Sequence, residues 1–490
     1  MDRMRPITPY LSARVHITWI FTAICFGLVL GISVCRSLPY FGWPMAVIGL
    51  LLVVIGVVRR RRAAIAFVLI GAMVMGVVRG QITTNDYMDY ADYFGKKVTV
   101  EGAIKDSPTQ PRPGVSSILI SNPEIEGITL PGIIDIDVPS AEIADPLVTG
   151  DIVIIRGVVS HGYGTVAASL LSPEVIAVKR AGNVAVLASV KKNAESAIVR
   201  SIGEPESSLG IGFLLGEKRE LPADLIVALQ VTGLTHIVVA SGYNVSILVR
   251  IARRFFVKVS KFLAAFSGVI LAGGFVTITG LSPSMTRAAL VAGLSLWAWY
   301  VGRTFHPVTL LSFVAAVTVI VRPEFAWGDV GWQLSFAAFA GVMIVAPIIQ
   351  AYFFGASKPR LLGQIAIETI AAQLLTAPII IATFGQFSVI ALFANMLIVP
   401  FVPLAMLLVF LAAVSSMIIP VIATIFAFPA QNLLSAMITV IETASQVAWA
   451  QVSLGFTWQL VAVSYLMIFT ACIYMKWRAR FSLRSSSVIE

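Results

Sequence analysis

Residues Thr235 to Leu248 read THIVVASGYNVSIL, placing a His, a Ser-Gly pair and an Asn inside a long apolar tract. How these residues are read decides the fold. As a Ser–His pair they point to a hydrolase; as polar positions on a membrane helix they point to a chain that lives in lipid. His236 and Ser241 are five residues apart, which at 3.6 residues per turn sets them about 140° apart around a helix axis. The two side chains diverge unless the helix breaks at Gly242 or before it, whereas Ser241 and Asn244, three apart, share a face. Polar side chains in membrane helices hydrogen-bond neighbouring helices, at about 0.6–2 kcal/mol each. Otherwise they face a bundle interior or a water-filled cavity.

The composition around this stretch favours lipid. The 490 residues are 58% hydrophobic and 12% charged, against about a quarter charged in soluble domains, and the mean hydropathy is +0.90. Apolar segments are centred near residues 26, 50, 71, 242, 271, 293, 314, 339, 373, 400, 425 and 466. A bilayer span needs about 20 residues and several segments are short or interrupted, so about 10–12 spans are expected. The first apolar run, from Ile17, follows Arg3, Arg5 and Arg14 but ends without a small-x-small site. It is read as a retained membrane helix, not a cleaved signal.

Basic residues set the expected orientation. The run Arg59 to Arg62 separates the second and third spans and should be cytoplasmic. The cluster Ala252–Lys261, Lys358 with Arg360, and the tail KWRARFSLR fit the same side. These clusters account for much of the net charge of +10 without invoking nucleic acid. The third span then leads outward, so the polar gap from Lys96 to Arg180 should be extracytoplasmic. Within it KKVTVEGAI, SSILIS, PGIIDIDV and TGDIVIIRGVV alternate or run apolar between Pro, Gly and Asn, as short strands do. About five strands in this gap suit a small OB-like barrel. The segment NVAVLASVKKNAESAIVRSI (183–202) reads as an amphipathic helix, either along the membrane surface or packed on the barrel. A second polar-dotted helix, LLSAMITVIETASQVAWAQ (433–451), precedes the last span.

Several chemistries lack their motifs. His16, His161, His236 and His306 are scattered, HExxH and Cys ladders are missing, and Cys25, Cys35 and Cys472 lie in or beside apolar runs. No metal or cofactor is expected from this pattern. No GxxxxGK[ST] loop occurs, so energy for transport would come from a partner or a gradient. The later apolar half carries Arg287, Asp329, Gln333, Gln373, Gln386 and Asn395. Arg287 stands out, because a lipid-facing Arg at mid-bilayer costs at least about 2.5–3.5 kcal/mol. It needs an acidic partner, helix carbonyls, water, an anionic ligand, or a snorkelling path from its place near a helix start. Asp329 suits an N-cap of the following span.

These segments carry a resemblance. TGLTHIVVASGYNVSIL is similar to the signature helix of the ComEC family, membrane channel proteins of bacterial DNA uptake, which shows a TGLxHLLAxSGLHV-like run. FLLGEKRELPADLIVAL, GLSPSMTRAALVAG, DVGWQLSFAAFAGV and TAPIIIATFGQFSVIALFANMLIVPFVPL extend it in order over residues 205–415. The leading spans and the strand-rich domain also look like the family's N-terminal region. In two respects the chain departs from the pattern. Asn244 stands where the family has a second His. The chain also ends soon after its last span, without the metallo-β-lactamase-like domain of many members, so strand degradation is not expected from this polypeptide.

The resemblance implies a polytopic α-helical membrane protein of the bacterial inner membrane with an inserted OB-like barrel and cytoplasmic termini. Its parts would be N-terminal helices (1–82), barrel (96–180), amphipathic helix (183–204), competence-type channel domain (205–476) and basic tail (477–490). It would pass single-stranded DNA inward without itself being an enzyme. His236, Ser241, Asn244, Arg287, Asp329, Gln333, Gln386 and Asn395 would line the path, with Lys96, Lys97 and Lys105 guiding DNA on the barrel. Partners would be other DNA-uptake proteins, a cytoplasmic ATPase or helicase and a separate nuclease. The barrel fits DNA binding poorly: residues 96–180 hold seven Lys or Arg against ten Asp or Glu, with Tyr163 the sole aromatic, whereas single-strand binders pair basic grooves with stacking rings. Two further readings stay open, a transporter or membrane scaffold for another cargo, and a hydrolase using Ser241.

Overall fold

A computed structural model describes residues 15–479, apart from 106–108, 113–114, 140–146, 148, 181–184, 217–220, 239–241, 281, 356 and 358. The protein is a multi-pass helical membrane protein with one β-barrel. Among the described residues, eight helices are long and apolar enough to cross a bilayer, and three shorter apolar helices accompany them. The chain forms two compact units, one of Met1–Ala188 with Ser312–Gln333, the other of Ser189–Leu311 with Leu334–Glu490.

The first unit opens with α1 (Ile17–Val34), α2 (Trp43–Arg59) and α3 (Ala64–Asp86). Helices α1 and α3 approach backbone to backbone, and a Cβ at Gly31 would run into the Met73 carbonyl. Small residues permit such contacts where lipid supplies no hydrophobic drive between helices. Gln81, 6% exposed, fastens the α1–α2 connection by accepting from Phe41 N–H at 2.7 Å and donating to the Pro39 carbonyl at 2.9 Å.

The strands follow: β1 (Lys97–Ile104), β2 (Thr109–Arg112), β3 (Val115–Ile125), β4 (Ile128–Thr129), β5 (Ile133–Pro139), β6 (Ile152–His161) and β7 (Ala168–Lys179). Five close a ring in the order β1–β6–β7–β5–β3 and back to β1. Only β5 with β7 is parallel in that ring. Counted along the chain the five barrel strands are joined 1-2-3-5-4, the connectivity of an OB-type Greek-key barrel. Strand alternation fills its centre. In β6 Val153, Ile155 and Val159 are buried while Ile152 and Arg156 face out, and Ile118, Ile120, Ile134 and Ile136 complete the core. Tyr90, fully buried before β1, donates to the Pro131 carbonyl at 3.0 Å.

The remaining chain is helical: α4 (Ala185–Ser201), α5 (Glu206–Leu215), α6 (Ala223–Val231), α7 (Thr235–Val238), α8 (Gly242–Phe256), α9 (Lys261–Thr279) and α10 (Pro283–Tyr300). Then come α11 (Pro307–Val321), α12 (Glu324–Gly328), α13 (Val330–Ala340), a π-helical turn at Gly341–Val345, α14 (Ala346–Phe354) and α15 (Leu361–Phe384). After β8 (Gln386–Ser388), α16 (Ala391–Ile398), α17 (Val402–Ile418) and α18 (Pro420–Ser445), β9 (Gln451–Ser453) pairs with β8 and α19 (Trp458–Ala479) ends the described chain. The core of the second unit is dominated by Ala, Leu, Ile and Val from α5, α6, α8, α10, α17 and α18.

Three sequence expectations are refined. The segments near 50 and 314 fold as helices of 17 and 15 residues, and at 1.5 Å per residue the shorter covers about 22 Å of a roughly 30 Å hydrocarbon core. The segment near 242 is helical over Thr235–Val238 (α7) and Gly242–Phe256 (α8), and residues 239–241 lie outside the described residues. The polar-dotted stretch 433–451 is not a separate helix; its larger part continues α18, which runs 26 residues through Pro429. Membrane helices tolerate an internal Pro because neighbouring groups satisfy the freed carbonyl.

Candidate functional site

In the second unit, three of the segments that carry the family resemblance, around Gly242, Arg287 and Ser335, meet at Arg287. Ser282 caps α10 by accepting from Met285 N–H at 3.3 Å, and Pro283 follows it in the first turn, a favoured start for a helix. Arg287 then projects inward one turn later and is 8% exposed, so it does not snorkel to water. One terminal nitrogen donates to the Ser335 carbonyl at 2.8 Å. The guanidinium lies 4.9 Å from the Phe339 ring centre and 6.0 Å from that of Phe336. Its Nε is buried without a partner, and no carboxylate is paired with it among the described residues. The other terminal nitrogen sits 2.7 Å from where a Cβ on Gly242 would be, so a side chain at 242 would displace the guanidinium. Ser335 also donates its hydroxyl to Ser284 at 3.0 Å.

Asn244, two residues further along α8, is fully buried and donates to the Phe213 carbonyl of α5 at 3.2 Å. His236 has an accessible side chain whose Nδ1 is 2.9 Å from the Gly233 carbonyl. A carbonyl only accepts, so the proton sits on Nδ1 and Nε2 is left as an acceptor. Ser241 lies outside the described residues. Gln386 is exposed and accepts from Gln451 at 2.7 Å where β8 meets β9. Asn395 is 5% exposed with its Oδ1 unpartnered. No contact joins Gln386 or Asn395 to Arg287 among the described residues.

A second neighbourhood lies in the first unit, where residues 312–333 fold with the barrel. Asp329 Oδ1 accepts from Trp332 N–H at 2.7 Å, the N-cap geometry of α13. Gln333 donates to the Ala326 carbonyl at 3.2 Å, and the Trp332 indole to Thr318 Oγ1 at 3.0 Å. The turn between β6 and β7 rests on this segment: Gly164, with φ +61°, faces Gly328, and a Cβ on Gly328 would enter the Gly164 backbone. Glu324, 8% exposed, has its carboxyl pushed up by burial, against the opposing pull of Arg322, Lys105 and Arg79. Asp329 is likewise raised by burial, opposed by the Trp332 N–H and Lys105. Lys105 therefore faces two acidic groups, whereas Lys96 and Lys97 are exposed at the start of β1. On the barrel wall Tyr163 donates to Asp135 and is pushed up to about 12 by that bond, then by burial.

Sequence reasoning singled out Arg287 and Asn244 but missed Gly242, Ser335 and Phe339 as their surroundings. Ser335 lies within a quoted motif, yet only the folded chain brings it to a residue 48 positions away. Among the described residues no group of three or more His, Cys, Asp or Glu is placed to hold a metal ion, and the three cysteines are free.

Comparison with known proteins bears on the same segments. The chain is 30% identical over 203 residues to ComE operon protein 3 of Bacillus subtilis, a match covering 40% of this chain and 25% of that protein. It is 26% identical over 204 residues to an uncharacterized protein of Aquifex aeolicus, covering 38% of this chain and 48% of the relative. The chain thus spans between a quarter and about half of the length of these relatives. No solved structure matches. The family model described as Competence protein matches residues 213–480, more than half of the chain and the whole neighbourhood of Arg287, and the protein belongs to this competence family, the ComEC family its signature segment resembles.

Proposed function

We propose that this protein takes part in DNA uptake for transformation as the inner-membrane channel that passes single-stranded DNA into the cytoplasm. One observation carries the reading. The family's segments at 242–244, 282–287 and 335 converge on a buried guanidinium that no described carboxylate neutralises. A cation held this way in a membrane domain suits an anionic cargo. His236, Ser241, Asn244, Gln333 and Asn395 are proposed neighbours of the path, and the barrel is proposed to stand outside the membrane. That orientation is supported by Arg59–Arg62, which lie at the end of α2 and just after it. The barrel acts mainly as a scaffold, since its acidic balance and single aromatic suit a strand-binding groove poorly. A cytoplasmic ATPase or helicase, other uptake proteins and a separate nuclease are proposed partners.

The test is transformation frequency in a deletion strain, with uptake of labelled duplex and single-stranded DNA measured beside it. Deletion should abolish transformation, and Arg287→Ala should lower it by at least about tenfold at unchanged protein level, as removal of a charge-assisted contact predicts. Normal transformation without the protein favours a second reading, a transporter or scaffold for another cargo. That reading draws on Asn244, Asp329 and Gln333, each of which bonds its own protein.

A further inference from the structure

Helices α8, α9 and α10 of the second unit pack on one another and gather positive charge at one end. Arg250 and Arg254 are exposed on one face of α8, Lys258 is exposed in the link to α9, Lys261 opens α9 and Arg303 follows α10. Two ring contacts bring these ends together. Arg253 stands 5.7 Å from the Trp299 ring centre, and the Phe262 and Tyr300 rings meet edge-on at 6.3 Å. No acid in the nearby chain answers the charge, since residues 225–323 hold neither Asp nor Glu. Among the described residues no ion pair holds Lys258, Lys261 or Arg303. Helix ends account for part of the pattern, because cations suit the C-terminal turns of α8. Lys261 is the opposite case: it sits at the positive end of α9, where a cation is disfavoured.

The same corner is apolar as well as basic. Phe255, Val259 and Phe262 are exposed among the cations. From Phe262 the exposed apolar surface continues down one face of α9 through Phe266, Val269 and Ile270, on a helix long and apolar enough to cross a bilayer. The charge therefore stands at the rim of a wall that faces acyl chains. Orientation by basic residues needs charge alone and no interleaved rings. We propose that this rim binds the headgroup of an anionic phospholipid. Its cations meet the lipid phosphate, and its exposed rings lie at the boundary between headgroup and acyl chain. A DNA strand fits less well, because the rings lead into an apolar wall and not along a basic groove that follows a backbone. The inference holds whatever cargo the protein carries.

The experiment uses the full-length protein in a neutral detergent. Native mass spectrometry counts the phosphatidylglycerol retained when an equal amount of phosphatidylcholine competes. Each Lys or Arg near an anionic surface strengthens attraction about fivefold, so wild type should prefer phosphatidylglycerol by at least about tenfold. The triple variant Lys258→Gln, Lys261→Gln, Arg303→Gln should lose at least about tenfold of that preference. A control that removes three exposed charges elsewhere, Arg59→Gln, Lys476→Gln, Arg478→Gln, should keep it. Full preference in the first triple overturns the site, and equal loss in both triples overturns it in favour of overall charge. If the first triple does not fold, equal retention of the two lipids by wild type overturns the site without it. Excess oligothymidylate should leave the lipid bound. If it strips phosphatidylglycerol from wild type, the rim belongs to nucleic acid and the lipid proposal falls.

Discussion

Asn244 illustrates how one polar residue serves packing. Its amide reaches the Phe213 carbonyl from a fully buried position, and stranding that acceptor costs about 1–3 kcal/mol. Asn244→Leu should lower the melting temperature accordingly, and transformation per folded molecule should fall with it, since Asn244 is a proposed neighbour of the path. Transformation per folded molecule at the wild-type level would leave Asn244 to packing alone. Glu324 makes a prediction about pH. Burial raises its carboxyl despite Arg322, Lys105 and Arg79, so the folded protein binds its proton more readily than the unfolded chain does. The native state then holds more protons, and this group's contribution to stability declines as pH rises from the ordinary carboxylate range through the raised folded value. Glu324→Gln should therefore melt higher than wild type at neutral pH, and the gap should close at a pH below about 4, where both side chains are neutral.

Among the elements, the contact between Gly164 and Gly328 joins the turn of the barrel to the residue before the α13 cap. A methyl at 328 has no room against the Gly164 backbone, and overpacking of this kind costs about 1–3 kcal/mol. Gly328→Ala should lower the melting temperature of the full protein and speed proteolysis of the β6–β7 turn. The barrel was legible because its strands alternate on a period of two, as in β6. The parallel β5–β7 pairing was not, since pairing partners more than 30 positions apart leave no local trace. Arg287 was legible as a charge in an apolar segment. Its neighbours were not, because closeness of residues 242, 287 and 335 follows from helix packing and from no spacing along the chain.

At the level of the whole molecule, orientation is the testable property. Tyr163 is 66% exposed on the barrel, so a cysteine placed there by Tyr163→Cys should react with a membrane-impermeant maleimide on intact spheroplasts. In an otherwise cysteine-free background, labelling only after lysis would reverse the proposed topology. The compact unit that contains the barrel also contains Ser312–Gln333, residues made long after the barrel strands themselves. During synthesis the turn at Gly164 must wait for Gly328, which the ribosome adds 164 residues later. The intervening helices are threaded into the membrane in the meantime. Assembly of the N-terminal part is thereby tied to synthesis of the family domain, and a ribosome that stops short of residue 328 leaves the β6–β7 turn without its Gly328 contact.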